Sequence, residues 1–118
     1  MQKSYSSFEQ GEIVAADIIY SQQVGFKRRP VLVISNSGYN KQSEDLIVLS
    51  ISSTQPKAKY DIGLTNKGLV AGELRTESKI LADFPTTIEK NLISQKIGKI
   101  SKQKLQEVKQ KIKELYEL

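Results

Sequence analysis

The chain has 118 residues, 18 of them basic and 13 acidic, for a net charge of +5, and it contains no cysteine, histidine or tryptophan. These absences exclude a disulfide framework, a thiol nucleophile, a cysteine zinc site and any imidazole base or Ser-His-Asp triad. The basic balance, with a pI near 9.4, favours an anionic partner, nucleic acid first.

The length suits one domain over 1–118. Residues 1–8 are expected to form a loose N-terminal segment and 101–118 a C-terminal helix. No run of about eighteen apolar residues occurs, so no membrane span is expected. The start, Met1-Gln2-Lys3-Ser4-Tyr5-Ser6-Ser7, lacks a hydrophobic signal core. The expected location is therefore cytoplasmic.

Gly11-Glu12 opens the first strand, Ile13 to Tyr20, which is rich in β-branched residues. Ser21 to Arg29 is polar, contains Gly25 and reads as a loop. Pro30 marks the entry to a second strand, Val31 to Ser35, whose continuous apolar character predicts burial on both faces. Asn36 to Asn40 reads as a turn, and Leu46 to Ser52 as a third strand. Pro56 closes that ladder, and Tyr60 to Thr65 is a weak fourth strand. Asn66-Lys67-Gly68 signals a turn. Ser78 to Phe84 is a fifth strand, with Pro85 setting its end, and Leu92 to Gly98 reads as a connector. Ser101 is an N-cap for a helix whose apolar stripe is Leu105, Val108, Ile112, Leu115 and Leu118. Its lysines and glutamates form a solvated outer face. Short strands followed by one terminal helix predict a mainly β fold, a compact antiparallel sheet or small barrel with a docked helix.

The most distinctive segment is Gly25-Phe26-Lys27-Arg28-Arg29-Pro30, which sets cations directly before an apolar strand. An arginine at a strand mouth is held by the sheet, and its guanidinium fork can grip a phosphate bidentately or pair with a carboxylate. Both readings stay open on these residues alone. Gly11-Glu12-Ile13-Val14 with Asp17, then Lys27-x-Arg29-Pro30 and its apolar strand, resembles the MazF/PemK family of toxin endoribonucleases. The later segments agree in order. Ile47 to Ser53 resembles the family strand that ends in a hydroxyl residue. Leu74 to Leu81 with Ser78 is similar to the family's Leu-x-x-x-Ser-x-(Val/Ile), and Ile97-Gly98-Lys99-Ile100-Ser101 to its Ile-Gly-x-Leu-(Ser/Thr) ending. The resemblance runs over residues 9–118.

It implies an SH3-like antiparallel barrel with a C-terminal helix, usually a homodimer. It implies cleavage of single-stranded RNA, typically mRNA, without metal or cofactor, and a cognate antitoxin that occupies the substrate groove. Arg29 matches the family's catalytic arginine and Ser52 its catalytic threonine, with Thr54 an alternative if the register slips by two. The chain departs from the family in three ways. The segment before Arg29 carries no acid, the chain has no histidine, and Thr86 stands where many members place arginine. The general base is thus unassigned. Asp83 is the nearest matching carboxylate and Asp17 a second, whose plainer role is a turn cap. Lys27, Arg28, Lys57 and Lys59 are expected to meet phosphates. Phe26, ahead of Tyr20 and Tyr39, is expected to stack a base. A toxin of this fold that poisons a protein such as DNA gyrase, and a barrel that binds RNA without cutting it, are the competing readings.

Overall fold

The computed structural model describes residues 7–19, 26–54 and 56–118, with backbone alone at Ile19 and Phe26. Seven strands form one curled antiparallel sheet. In chain order they are β1 (Glu12–Ile19), β2 (Phe26–Val33), β3 (Asp45–Ser52), β4 (Asp61–Leu64), β5 (Leu69–Gly72), β6 (Ser78–Glu89) and β7 (Ile93–Ile100). In space they run β4-β6-β3-β2-β1-β7-β5. A short helix α1 (Ser37–Gln42) joins β2 to β3, and α2 (Lys102–Tyr116) follows β7.

The apolar run of β2 predicts burial on both faces, and the packing explains why. Alternate residues point to opposite sides of a strand. Ile13, Leu32, Leu49, Ile51, Ile80 and Ala82 fill one cluster, which Val108 of α2 closes from outside the sheet. Val14, Val31, Val33, Leu46, Val48 and Ile88 fill a second cluster on the other face, lidded by Phe8 and Ile93. With both faces of β1, β2 and β3 committed to core, polar chemistry is confined to strand ends and edges.

The β-strand boundaries differ from expectation at three places. The cations read as loop belong to β2, which begins at Phe26 and pairs Arg28 with Asp17 and Arg29 with Ala16. Pro30 therefore lies inside β2. It is tolerated because the ladder to β3 starts only at Val31, which leaves that side of the strand open. Pro85 does not end its strand. β6 continues to Glu89, because β4 pairs only with Ser78 to Leu81 and the later half of β6 is an edge. The segment read as a connector is β7, on which the unanticipated β5 pairs. Bulges in the β1–β7 ladder break the alternation that would have marked β7 as a strand.

The predicted N-cap of α2 holds, with Ser101 Oγ accepting from the Lys104 N–H at 3.0 Å. The helix ends at Tyr116, where Glu117 turns left-handed at φ 58°. Leu118 is thus 84% exposed and is not part of the apolar stripe. The turn read at Asn36–Asn40 is the start of α1, capped by Asn36 Oδ1 accepting from the Tyr39 N–H at 2.8 Å.

Of residues 1–8, expected to be loose, 1–6 lie outside the described residues, and Phe8 is buried in the second cluster. Gly11 donates to the Val33 carbonyl at 2.8 Å and accepts from the Ile100 N–H at 3.0 Å. Glu9 pairs with Lys99. The hydrogen bond from Lys99 holds the Glu9 carboxyl below its ordinary range, and the same bond raises the Lys99 ammonium.

Candidate active site

The sheet order makes β6, β3 and β2 neighbours, so Arg29, Ser52 and Asp83 stand on three consecutive strands. The β2–β3 register pairs Val31 with Ser50 and ends there, so Arg29 and Ser52 each lie two residues beyond the last pair on their own strand. Strand alternation puts both on the face of Val31 and Ser50. Arg29 is exposed and Ser52 half-buried. Ser52 Oγ accepts from the Thr54 N–H at 3.1 Å. This occupies one acceptor lone pair of the hydroxyl and leaves its proton for a ligand oxygen. Thr54 itself lies beyond the end of β3 and is exposed.

Asp83 sits in a bulge of β6. Leu49 pairs with Pro85 but Ile51 with Ile80, so the residues from Leu81 to Phe84 all lie opposite Ser50. Bulges re-aim side chains at sheet edges, and here Asp83 and the adjoining Phe84 are both exposed. Phe84 is 60% exposed, an aromatic beside the candidate site that sequence reasoning passed over. Thr86 follows, opposite Val48 and exposed.

The cation cluster is divided by the strand. Lys27 shares the face of Arg29, whereas Arg28 points to the opposite side, where its Nε lies 3.5 Å from Asp17 Oδ1. Asp17 is thus half of a cross-strand ion pair rather than a turn cap. Phe26 opens β2 opposite Ile19, but the stacking expected of its ring, like that of Tyr20, lies outside the described residues. Tyr39 is on α1, away from this edge. Lys57 is exposed and lines a shallow depression with Asp61 to Gly63 and with Glu107, Gln110 and Lys111 of α2. Lys59 leans over the Tyr60 ring at 5.3 Å.

Beside Ser52 lies a feature that the sequence reading missed. Lys79 is the cross-strand partner of Ser52 and is buried. Its ammonium is 3.3 Å from Asp61 Oδ2 and donates to the Pro56 carbonyl at 2.8 Å. A lysine set in the strand Ser78-Lys79-Ile80-Leu81-Ala82 was the available signal. Among the described residues, no group of acidic side chains is arranged to hold a metal ion, and no helix is long and apolar enough to cross a membrane.

The arrangement is a small curled sheet that carries an arginine, a hydroxyl and a carboxylate on three neighbouring strands. The model of the PemK-like, MazF-like toxins of type II toxin-antitoxin systems matches residues 9–116. The chain belongs to this family. No curated protein matches it. Several solved structures share its fold. The MazE-MazF structure from Deinococcus radiodurans matches with a TM-score of 0.77 at 21% identity, covering 97% of this chain and 99% of that one. The Mycobacterium tuberculosis toxin MazF-mt6 matches with a TM-score of 0.75 at 20% identity, covering 91% and 97%. An endoribonuclease from a mycobacterial species, solved in complex with its cognate antitoxin, matches with a TM-score of 0.71 at 15% identity, covering 95% and 97%.

Proposed function

We propose that this toxin is an endoribonuclease that cuts single-stranded mRNA, and that Arg29, Ser52 and Asp83 carry the reaction. What supports this reading is that the three residues stand on neighbouring strands, with Arg29 and Ser52 each two residues beyond the last β2–β3 pair and on the same side by strand alternation. Cleavage by internal attack forms a bond from the ribose 2′-oxygen to phosphorus and breaks the bond to the 5′-oxygen. The 2′-hydroxyl proton passes to a base, and the leaving oxygen takes up a proton from solvent. The products are a 2′,3′-cyclic phosphate and a 5′-hydroxyl end.

Arg29 is permanently protonated, so its part is to stabilise the charge that grows on the equatorial oxygens. Ser52 donates its proton to a phosphate oxygen and orients the attacking hydroxyl. Asp83, re-aimed by the β6 bulge, is the candidate proton acceptor. Lys27, on the face of Arg29, meets a flanking phosphate. Thr54 and Lys57 extend the contact to neighbouring nucleotides. The toxin acts in the cytoplasm as a homodimer and binds a cognate antitoxin, as the mycobacterial relative does in its structure, and that antitoxin covers the side of the sheet that carries Arg29 and Ser52.

The test is cleavage of a panel of single-stranded RNAs in excess chelator. The wild-type chain should cut a subset of them, and Arg29→Ala should lower the rate by about 100-fold or more. Ser52→Ala should lower it, whereas Ser52→Thr should retain it, because the reaction needs the hydroxyl and is indifferent to the added methyl. Intact RNA across the panel at micromolar protein would refute the reading.

A further inference from the structure

Resting on the ribonuclease reading, the geometry points to Lys79 and Asp61 as positioning residues: a buried clasp that holds residues 56–61 beside Ser52 and sets the approach of the RNA strand. Both side chains are largely buried, Asp61 at 4% exposed and Lys79 at 11%. The Lys79 ammonium reaches the Pro56 carbonyl at 2.8 Å and Asp61 Oδ2 at 3.3 Å. The same Oδ2 accepts from the Ala58 N–H at 2.7 Å, and the Asp61 N–H donates to the Ala58 carbonyl at 3.2 Å. One ammonium thus ties down a polar segment at Pro56, at Asp61 and, through Asp61, at Ala58.

Removing a buried ion pair in favour of apolar residues of similar volume is often neutral or stabilising, so fold stability alone does not account for this pair. It supplies direction. Clamping the backbone at Pro56 and Ala58 turns the side chains between and after them outward, and Lys57 and Lys59 are both exposed. The anchor is also immediate to the chemistry, because Lys79 is the strand partner of Ser52. A displacement of the segment would be felt at the Ser52 hydroxyl, which is itself bonded to the Thr54 N–H. Small misplacements of positioning groups reduce rates strongly.

The experiment compares Lys79→Met, Lys79→Arg and the double variant Lys79→Met/Asp61→Asn with the wild type. Lys99→Met serves as a control for loss of one surface charge. Two readouts are taken: hydrogen exchange at the Ala58 amide, and steady-state cleavage of a single-stranded RNA. In Lys79→Met the Ala58 amide should exchange at least about tenfold faster while core amides at Leu32 and Leu49 keep their protection. Its kcat/KM should fall about tenfold or more. Lys79→Arg should restore most of both, and Lys99→Met should alter neither. The double variant, which leaves no unpaired buried carboxylate, should loosen the segment and lose cleavage in the same way. Unchanged exchange at Ala58, or fast exchange with cleavage intact, overturns the proposal. So does loss of core protection in both the single and the double variant, which would make the pair purely structural. If the wild-type chain cuts no RNA, the ribonuclease reading falls with the catalytic part of the clasp, while exchange at Ala58 still decides whether the clasp holds the segment.

Discussion

Asn40 shows how much one side chain can organise in a protein of this size. It is 1% exposed, and its amide is fully engaged. Oδ1 accepts from the Ser35 hydroxyl, while Nδ2 donates to the carbonyls of Phe8 and Ser35, each at 3.0 Å. Its own carbonyl accepts from the Lys90 ammonium. One residue thus joins the segment before β1, the turn after β2 and the turn before β7. Asn40→Ala strands these donors and acceptors in a dry site and should cost about 2–4 kcal/mol in urea denaturation. A loss below about 0.5 kcal/mol would mean that water replaces the amide. Little of this was legible in the sequence, where Asn36 to Asn40 read as a polar turn. The partners of Asn40 are distant, Phe8 lying 32 residues away, and composition carries no sign of such a contact. Arg29 was legible as a candidate through its motif. Its separation from Arg28 was not, because alternation divides neighbours only once the cations are known to lie in a strand.

Among the elements, the β5–β7 pairing depends on two glycines facing each other. A Cβ at Gly72, where φ is +78°, would stand 2.0 Å from the Ile97 carbonyl oxygen, and one at Gly98 would stand 2.4 Å from that of Ala71. Gly72→Ala therefore adds a left-handed backbone penalty to a clash that only separation of the strands can relieve. It should destabilise the protein by more than about 2 kcal/mol. Gly63→Ala is the contrast, since a Cβ there would have nothing within 4 Å, and thermal melts of the two variants should differ clearly. Sequence reasoning found β1, β3, the inner half of β2 and the first half of β6, which carry dense apolar runs, and the weaker β4. The strands it missed or truncated, β5, β7, the outer half of β2 and the second half of β6, are edges, bulged or laddered on one side only, and there pairing partners rather than hydrophobic pattern decide the structure. Helix α2 was legible because its apolar stripe and cap are local.

At the scale of the whole molecule, the charge of +5 is unevenly committed. On α2, Lys104 pairs with Glu107 at 2.9 Å and Lys111 with Glu114 at 3.6 Å, so part of its positive charge is answered locally. Lys27, Arg29 and Lys57 are exposed, and the proposed function sets all three against RNA. If these three meet phosphates, log Kd for single-stranded RNA should rise with log salt at a slope of about 2. Lys57→Gln should reduce that slope by about 0.7, whereas Lys99→Met, whose lysine is paired with Glu9, should leave it unchanged. A slope unchanged in Lys57→Gln would remove Lys57 from the contact set. The sheet order was not legible at this scale. β4 and β5 are consecutive in the chain yet form opposite edges of the sheet, a separation set by long-range pairing.

The outer half of β2, from Phe26 to Pro30, is laddered to β1 alone, and this makes the site sensitive to parity. Inserting one residue between Pro30 and Val31, with the core register kept, would bring Pro30 to the place of Arg29 and swing the Arg29 side chain to the opposite face. Point substitutions in this ribbon are graded, but such an insertion is all-or-none. Natural variants of this toxin should therefore tolerate altered residue types around Arg29 far more readily than a single inserted residue.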